Sequence, residues 1–121
     1  MNIETKILNE VTVIKLIADE ITPGDEKTLR QSFDHFAEQG LKKLVLNLEN
    51  LSYLNSSILG LIIGFSKKIV ENGGELIICN PTNFVKRILH ITQIEDFIGI
   101  YGNESDAVKN CLLYDIPVKL K

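Results

Sequence analysis

The stretch Leu44-Val45-Leu46-Asn47-Leu48-Glu49-Asn50-Leu51-Ser52-Tyr53-Leu54-Asn55-Ser56-Ser57-Ile58-Leu59-Gly60 decides the fold class. Its first five residues carry no charge and read as a central strand lying between two layers. Glu49 to Ser57 is polar punctuation around Tyr53 and Leu54. From about residue 57 to residue 72 the spacing turns helical. Ile58, Ile62, Phe65 and Ile69 form one stripe, with Leu59, Ile63 and Val70 beside it. Gly60 and Gly64 share a face of this helix, which predicts close packing of the helix on the sheet.

The same alternation extends outward in both directions. Residues 3–8 and 11–17 read as strands, with Asn9-Glu10 as the short turn between them. Thr22-Pro23-Gly24-Asp25 is a helix start, with Thr22 as cap, Pro23 at the first helical position and Asp25 completing a capping box. Leu29, Phe33, Phe36 and Ala37 then recur at helical spacing, and Gly40 ends the helix. Asn72-Gly73-Gly74 stops the second helix, and Glu75 to Cys79 is another apolar strand. Asn80-Pro81-Thr82-Asn83 turns into a third helix, with Phe84, Val85, Ile88 and Leu89 expected to face inward. Residues 98–101 read as a last short strand. Ser105 is expected to cap a final helix through about Leu113, burying Val108, Cys111 and Leu112. Strands and helices alternating at intervals of roughly 25 to 35 residues argue for an α/β domain. The expected sheet is mixed, with four to five strands and about four helices, the later strands parallel and joined by right-handed crossovers. The chain, residues 1–121, reads as a single domain with its core over about 5–113 and a loose tail at 115–121.

Composition narrows the function. The chain has 121 residues, 45% of them hydrophobic and 24% charged, with a net charge of −3. A mildly acidic chain has no cationic excess with which to release counterions from nucleic acid. The start, Met1-Asn2-Ile3-Glu4-Thr5-Lys6, lacks the basic and apolar regions of a signal peptide. The most apolar run, residues 58–65, is far short of a membrane span. A cytoplasmic protein with Cys79 and Cys111 as thiols is expected, bound to neither nucleic acid nor membrane.

Enzyme signatures are missing. No glycine-rich phosphate loop follows a strand, and no nucleophile elbow is present. His35 and His90 stand in unrelated contexts, and two cysteines are too few for a thiolate zinc site, so neither metal nor cofactor is expected. His90, at the end of the third helix, suits the negative end of the helix dipole. Cys79 reads as a small buried hydrophobe.

Asn55-Ser56-Ser57 stands out. Two hydroxyls at a helix start are explained by capping. The functional alternative is a phosphorylation switch. A phosphate adds roughly −1.5 to −2 charges, which free N–H groups at a helix N-terminus tolerate. The fold would survive while a docked partner met a bulky anion.

The run from Leu44 to Gly60 resembles the signature of the STAS-domain anti-sigma factor antagonists: an apolar strand, a short Leu-Ser-Phe type linker, then Asp-Ser-Ser-Gly-Leu-Gly opening a helix. Gly73-Gly74-Glu75-Leu76-Ile77-Ile78-Cys79-Asn80 resembles the family's next turn and strand. Phe84-Val85-Lys86-Arg87-Ile88-Leu89, followed by Ile94 and Phe97, resembles its third helix and following loop. The likeness covers about residues 5–113, in order. It implies a STAS-like fold and a non-enzymatic role. The unphosphorylated antagonist binds an anti-sigma factor that is also a serine kinase, and so frees a sigma factor. The kinase inactivates the antagonist at the second serine of the pair, and a PP2C-type phosphatase restores it. Carried over by position, that serine is Ser57, with Ser56 as the fallback acceptor. The docking surface would include Tyr53, Asn55, Ser56, Ser57, Ile58 and Leu59. Two departures stand out: Asn55 replaces the family's Asp, and Ile58 its Gly, the latter expected to present an apolar knob to a partner. They motivate a second reading, a STAS-like interaction or scaffold domain of a signalling or lipid-transport assembly without a serine switch. A link of the family to nucleotide binding finds no phosphate loop here.

Overall fold

The computed structural model describes residues 1–18 and 20–113. The expected loose tail, 115–121, and the side chain of Leu112 lie outside the described residues. In chain order the elements are β1 (Asn2–Leu8), β2 (Val11–Ile17), α1 (Pro23–Glu38), β3 (Lys43–Asn47), α2 (Ser56–Glu71), β4 (Glu75–Cys79) and α3 (Asn83–Ile91). A single 3₁₀ turn (Ile94–Asp96), β5 (Ile100–Tyr101) and α4 (Glu104–Leu113) follow. One mixed sheet runs in the order β1-β2-β3-β4-β5, with β1 antiparallel to β2 and the rest parallel. The α/β expectation with four helices is therefore met.

The sheet separates two apolar layers, and strand alternation decides which residue enters which. Ile14, Leu16, Leu44, Leu46, Leu76 and Ile78 face α1, α2 and α3, where they meet Leu29, Phe33, Ile62, Phe65, Val85 and Leu89. Val11, Val13, Val45, Ile77 and Cys79 face α4, where they meet Ala107, Val108 and Cys111. Burial pushes the Cys79 thiol up to about 12, with Glu104 and Glu49 adding to the shift. It stays protonated and inert.

Local chemistry sets the helix ends. The Thr22 hydroxyl accepts from the Asp25 N–H, and the Asp25 carboxylate accepts in return from the Thr22 N–H, closing the expected capping box. At the end of α2, the Gly73 N–H donates to the Val70 carbonyl and the Gly74 N–H to the Ile69 carbonyl. With Gly73 at φ +84°, this is a Schellman motif.

Three expectations are corrected. Gly60 and Gly64 do not pack on the sheet. A Cβ at either would meet nothing within 4 Å, because both face an open groove beside Arg30 and Phe33 of α1. The Ile58–Ile69 stripe takes the sheet-facing side, which leaves the glycine side outward. Phe84 is exposed rather than inward. Helix α3 has five apolar residues among nine, more than one buried stripe accommodates, and Val85 and Leu89 occupy it. Asn103, not Ser105, caps α4, its side-chain oxygen accepting from the Asp106 N–H at 2.9 Å.

A polar network ties β1, β2 and the start of α4 to the end of β3. Lys6 pairs with Glu104 at 2.7 Å and Lys15 with Glu49 at 2.5 Å. The buried Asn47 amide donates to Glu104 at 3.2 Å and accepts from the Glu49 N–H at 2.9 Å. For Glu104, burial raises the carboxyl, but the bonds from Lys6 and Asn47 outweigh it and hold it below its ordinary range. A carboxylate depressed in the folded state stabilises above its unfolded value, near 4.3. That contribution is lost as pH falls through the folded value. Melting temperature should therefore drop on acidification below about pH 4.5. Glu104→Gln should cost about 1 kcal/mol at pH 7 and less at pH 3. Melts by circular dichroism across that range check it; equal losses at both pH values would show that the charge is irrelevant.

Candidate regulatory surface

The segment between β3 and α2 is held from several sides. Leu48, Leu51 and Leu54 are buried and anchor it to the core. The Leu48 N–H donates to the Cys79 carbonyl and the Leu51 N–H to the Leu48 carbonyl. The Thr82 hydroxyl, which caps α3, donates to the Leu51 carbonyl at 3.0 Å. The segment therefore presents its remaining residues on a fixed support.

Helix α2 begins one residue earlier than its hydrophobic spacing indicates, at Ser56. Asn55 is the cap: its side-chain oxygen accepts from the Ile58 N–H at 2.9 Å. Capping by Asn55 leaves both serine hydroxyls unengaged, and no hydrogen bond to either is found among the described residues. Ser56 and Ser57 are exposed. Their N–H groups have no intrahelical acceptor, and the first turn of α2 carries no acidic residue. The positive end of the helix dipole is thus uncompensated by a side-chain charge.

Of the six contact candidates, four reach the surface. Tyr53 is 49% exposed, Asn55 is half-buried, and Ser56 and Ser57 are exposed. Ile58 and Leu59 are buried in the core at 1% and 9% exposure. The expected apolar knob at Ile58 is therefore corrected. Position 58 belongs to the same inward stripe as Ile62, Phe65 and Ile69, so its side chain extends the core instead of the surface. Phe84 is the surface residue that sequence reasoning missed. Its ring stacks on Tyr53 at 5.4 Å between centroids, making an exposed aromatic pair beside the serine turn. The surplus of apolar residues on α3 was the available signal.

Among the described residues no cluster of His, Cys, Asp or Glu is arranged to hold a metal ion, and no helix is long and apolar enough to cross a membrane.

This combination of a mixed five-stranded sheet and a serine pair opening α2 is that of a STAS domain. The model of that family matches residues 2–107, and the chain belongs to it. Among its relatives are the anti-sigma F factor antagonist of Paenibacillus polymyxa and the anti-sigma-B factor antagonist of Staphylococcus aureus. The first is 34% identical over 84 residues, 69% of this chain and 65% of that protein, so the alignment spans just under two thirds of its length. The second is 28% identical over 109 residues, 90% of this chain and 98% of that protein. The fold matches that of the anti-sigma factor antagonist SpoIIAA in its unphosphorylated form, with a TM-score of 0.75 at 21% identity, covering 90% of this chain and 95% of that one. A Bacillus SpoIIAA in the phosphorylated form gives 0.70. The general role these relatives support is regulatory binding of the anti-sigma factor antagonist kind.

Proposed function

We propose that this protein is an anti-sigma factor antagonist that binds an anti-sigma factor with serine-kinase activity and is switched off by phosphorylation of Ser57. The observation that carries the reading is the exposed serine pair whose hydroxyls the cap leaves free. A phosphate on Ser57 would be welcomed by the unfilled N-terminus of α2. The fold would persist while the docking surface gained charge. Tyr53, Asn55, Ser56 and Ser57 would form that surface, with Phe84 beside Tyr53. A PP2C-type phosphatase would reverse the switch, and the protein would act in the cytoplasm without catalysis of its own.

One observation favours a second reading, a STAS-like interaction or scaffold domain without a serine switch. Asn55 holds no charge where the family has Asp, and its side-chain oxygen is committed to the cap. Recovery of the protein from its native cells with its partners, followed by phosphopeptide mapping, separates the two. A kinase-fold partner and phosphate on Ser57 are expected. Bare serines together with a partner lacking a kinase fold would replace the first reading by the second.

A further inference from the structure

Further along α2, about 9 to 21 Å along its axis from Ser57, lies a second surface. A cleft of about 460 Å³ opens between α2 and the segment leading to β5, walled mainly by Ile63, Val70, Ile94, Phe97 and Ile98. Phe97 stands on its rim 83% exposed and Val70 is 59% exposed. Neither ring nor branched chain gains anything from water in a monomer. Ser66 also lines the cleft. It is buried to 9% exposure, and its hydroxyl has no hydrogen-bond partner among the described residues. Lys67 and Glu71 complete the rim one helical turn apart. Neither has an ion-pair partner among the described residues, and Lys N-terminal to Glu is the weaker order for pairing within one helix.

We infer that this face joins two copies of the chain across a two-fold axis, with Phe97 of each entering the cleft of the other. A hole that carries its own knob on the same face is self-complementary, which is what an isologous contact requires. Two α2 helices meeting antiparallel set Lys67 against the partner's Glu71, and Glu71 against the partner's Lys67. A small apolar ligand would fill the cleft but leave the rim charges unpaired. The contact lies away from Ser57 and stands or falls independently of the switch.

The test is light scattering of the full chain on a sizing column, from about 10 µM to about 1 mM, bracketing an ordinary homodimer affinity. The mass should rise with concentration from 13.6 kDa toward twice that value. Phe97→Asp should keep its fold by circular dichroism and weaken the dimer about a hundredfold, as loss of a central aromatic anchor does. Glu71→Lys should weaken it about tenfold, and the double variant Lys67→Glu with Glu71→Lys should restore it. A monomer throughout, or a dimer indifferent to Phe97→Asp, would overturn the proposal. So would native mass spectrometry of a monomer retaining a small apolar molecule.

Discussion

Ser57→Asp is expected to leave the fold intact and reduce affinity for the anti-sigma partner about a hundredfold, close to 2.7 kcal/mol. Fold retention follows from position. Residue 57 is exposed in the first turn of α2, where no acidic side chain offsets the dipole, and an acid there adds about 0.3–1 kcal/mol of stability. The affinity loss follows from the same exposure, since a carboxylate placed in a packed contact must be desolvated without a partner for its charge. Titration calorimetry against the partner recovered from native cells gives the number, and parallel melts establish the fold. Ser57→Ala serves as control and should bind like wild type, because it removes the acceptor and adds no charge. Equal affinity for the Asp variant and wild type would mean that Ser57 lies outside the docking surface.

Gly74→Ala should destabilise the protein by about 3 kcal/mol, within the upper range for overpacking, lowering the melting temperature by roughly 10 °C. A Cβ at Gly74 would lie 2.6 Å from the Lys42 carbonyl oxygen, 2.8 Å from its Cα and 3.0 Å from Ile69 Cγ2. The first two atoms are backbone, and the Lys42 carbonyl also accepts from the Glu75 N–H at 2.7 Å. Relief therefore means moving the entry of β4 relative to β3, at the centre of the sheet. Gly60→Ala supplies the contrast. Its Cβ would meet open space, and replacing a mid-helix glycine by alanine should add up to about 1 kcal/mol. Thermal melts of both variants decide. A Gly74→Ala protein melting within a degree or two of wild type would show that the β3–β4 approach is softer than its geometry indicates.

Much of the fold was legible because its determinants are local. The Thr22–Asp25 capping box, the Gly73 stop and the Ile58–Ile69 stripe each act within a turn or two of chain, and each is where the sequence puts it. The errors share a cause. Asn55 and Asn103 displaced the expected serine caps because several polar residues in a row can all serve as caps, and only backbone geometry selects one. Phe84 and the Gly60–Gly64 face were misplaced because periodicity assigns residues to a face of a helix without saying what that face meets.

For the candidate site, the sequence by itself determined the residue types, the position of the serine pair at a helix start and the family likeness. Tertiary structure alone decided which of those residues can be touched. Burial depends on what the rest of the chain lays over a surface. Ile58 and Leu59 disappeared under the helical layer, Tyr53 found Phe84 from a distant helix, and Asn47 met Glu104 across 57 residues. Spacing along the chain encodes the periodic face of an element; contact between elements is set by packing that only the folded chain defines.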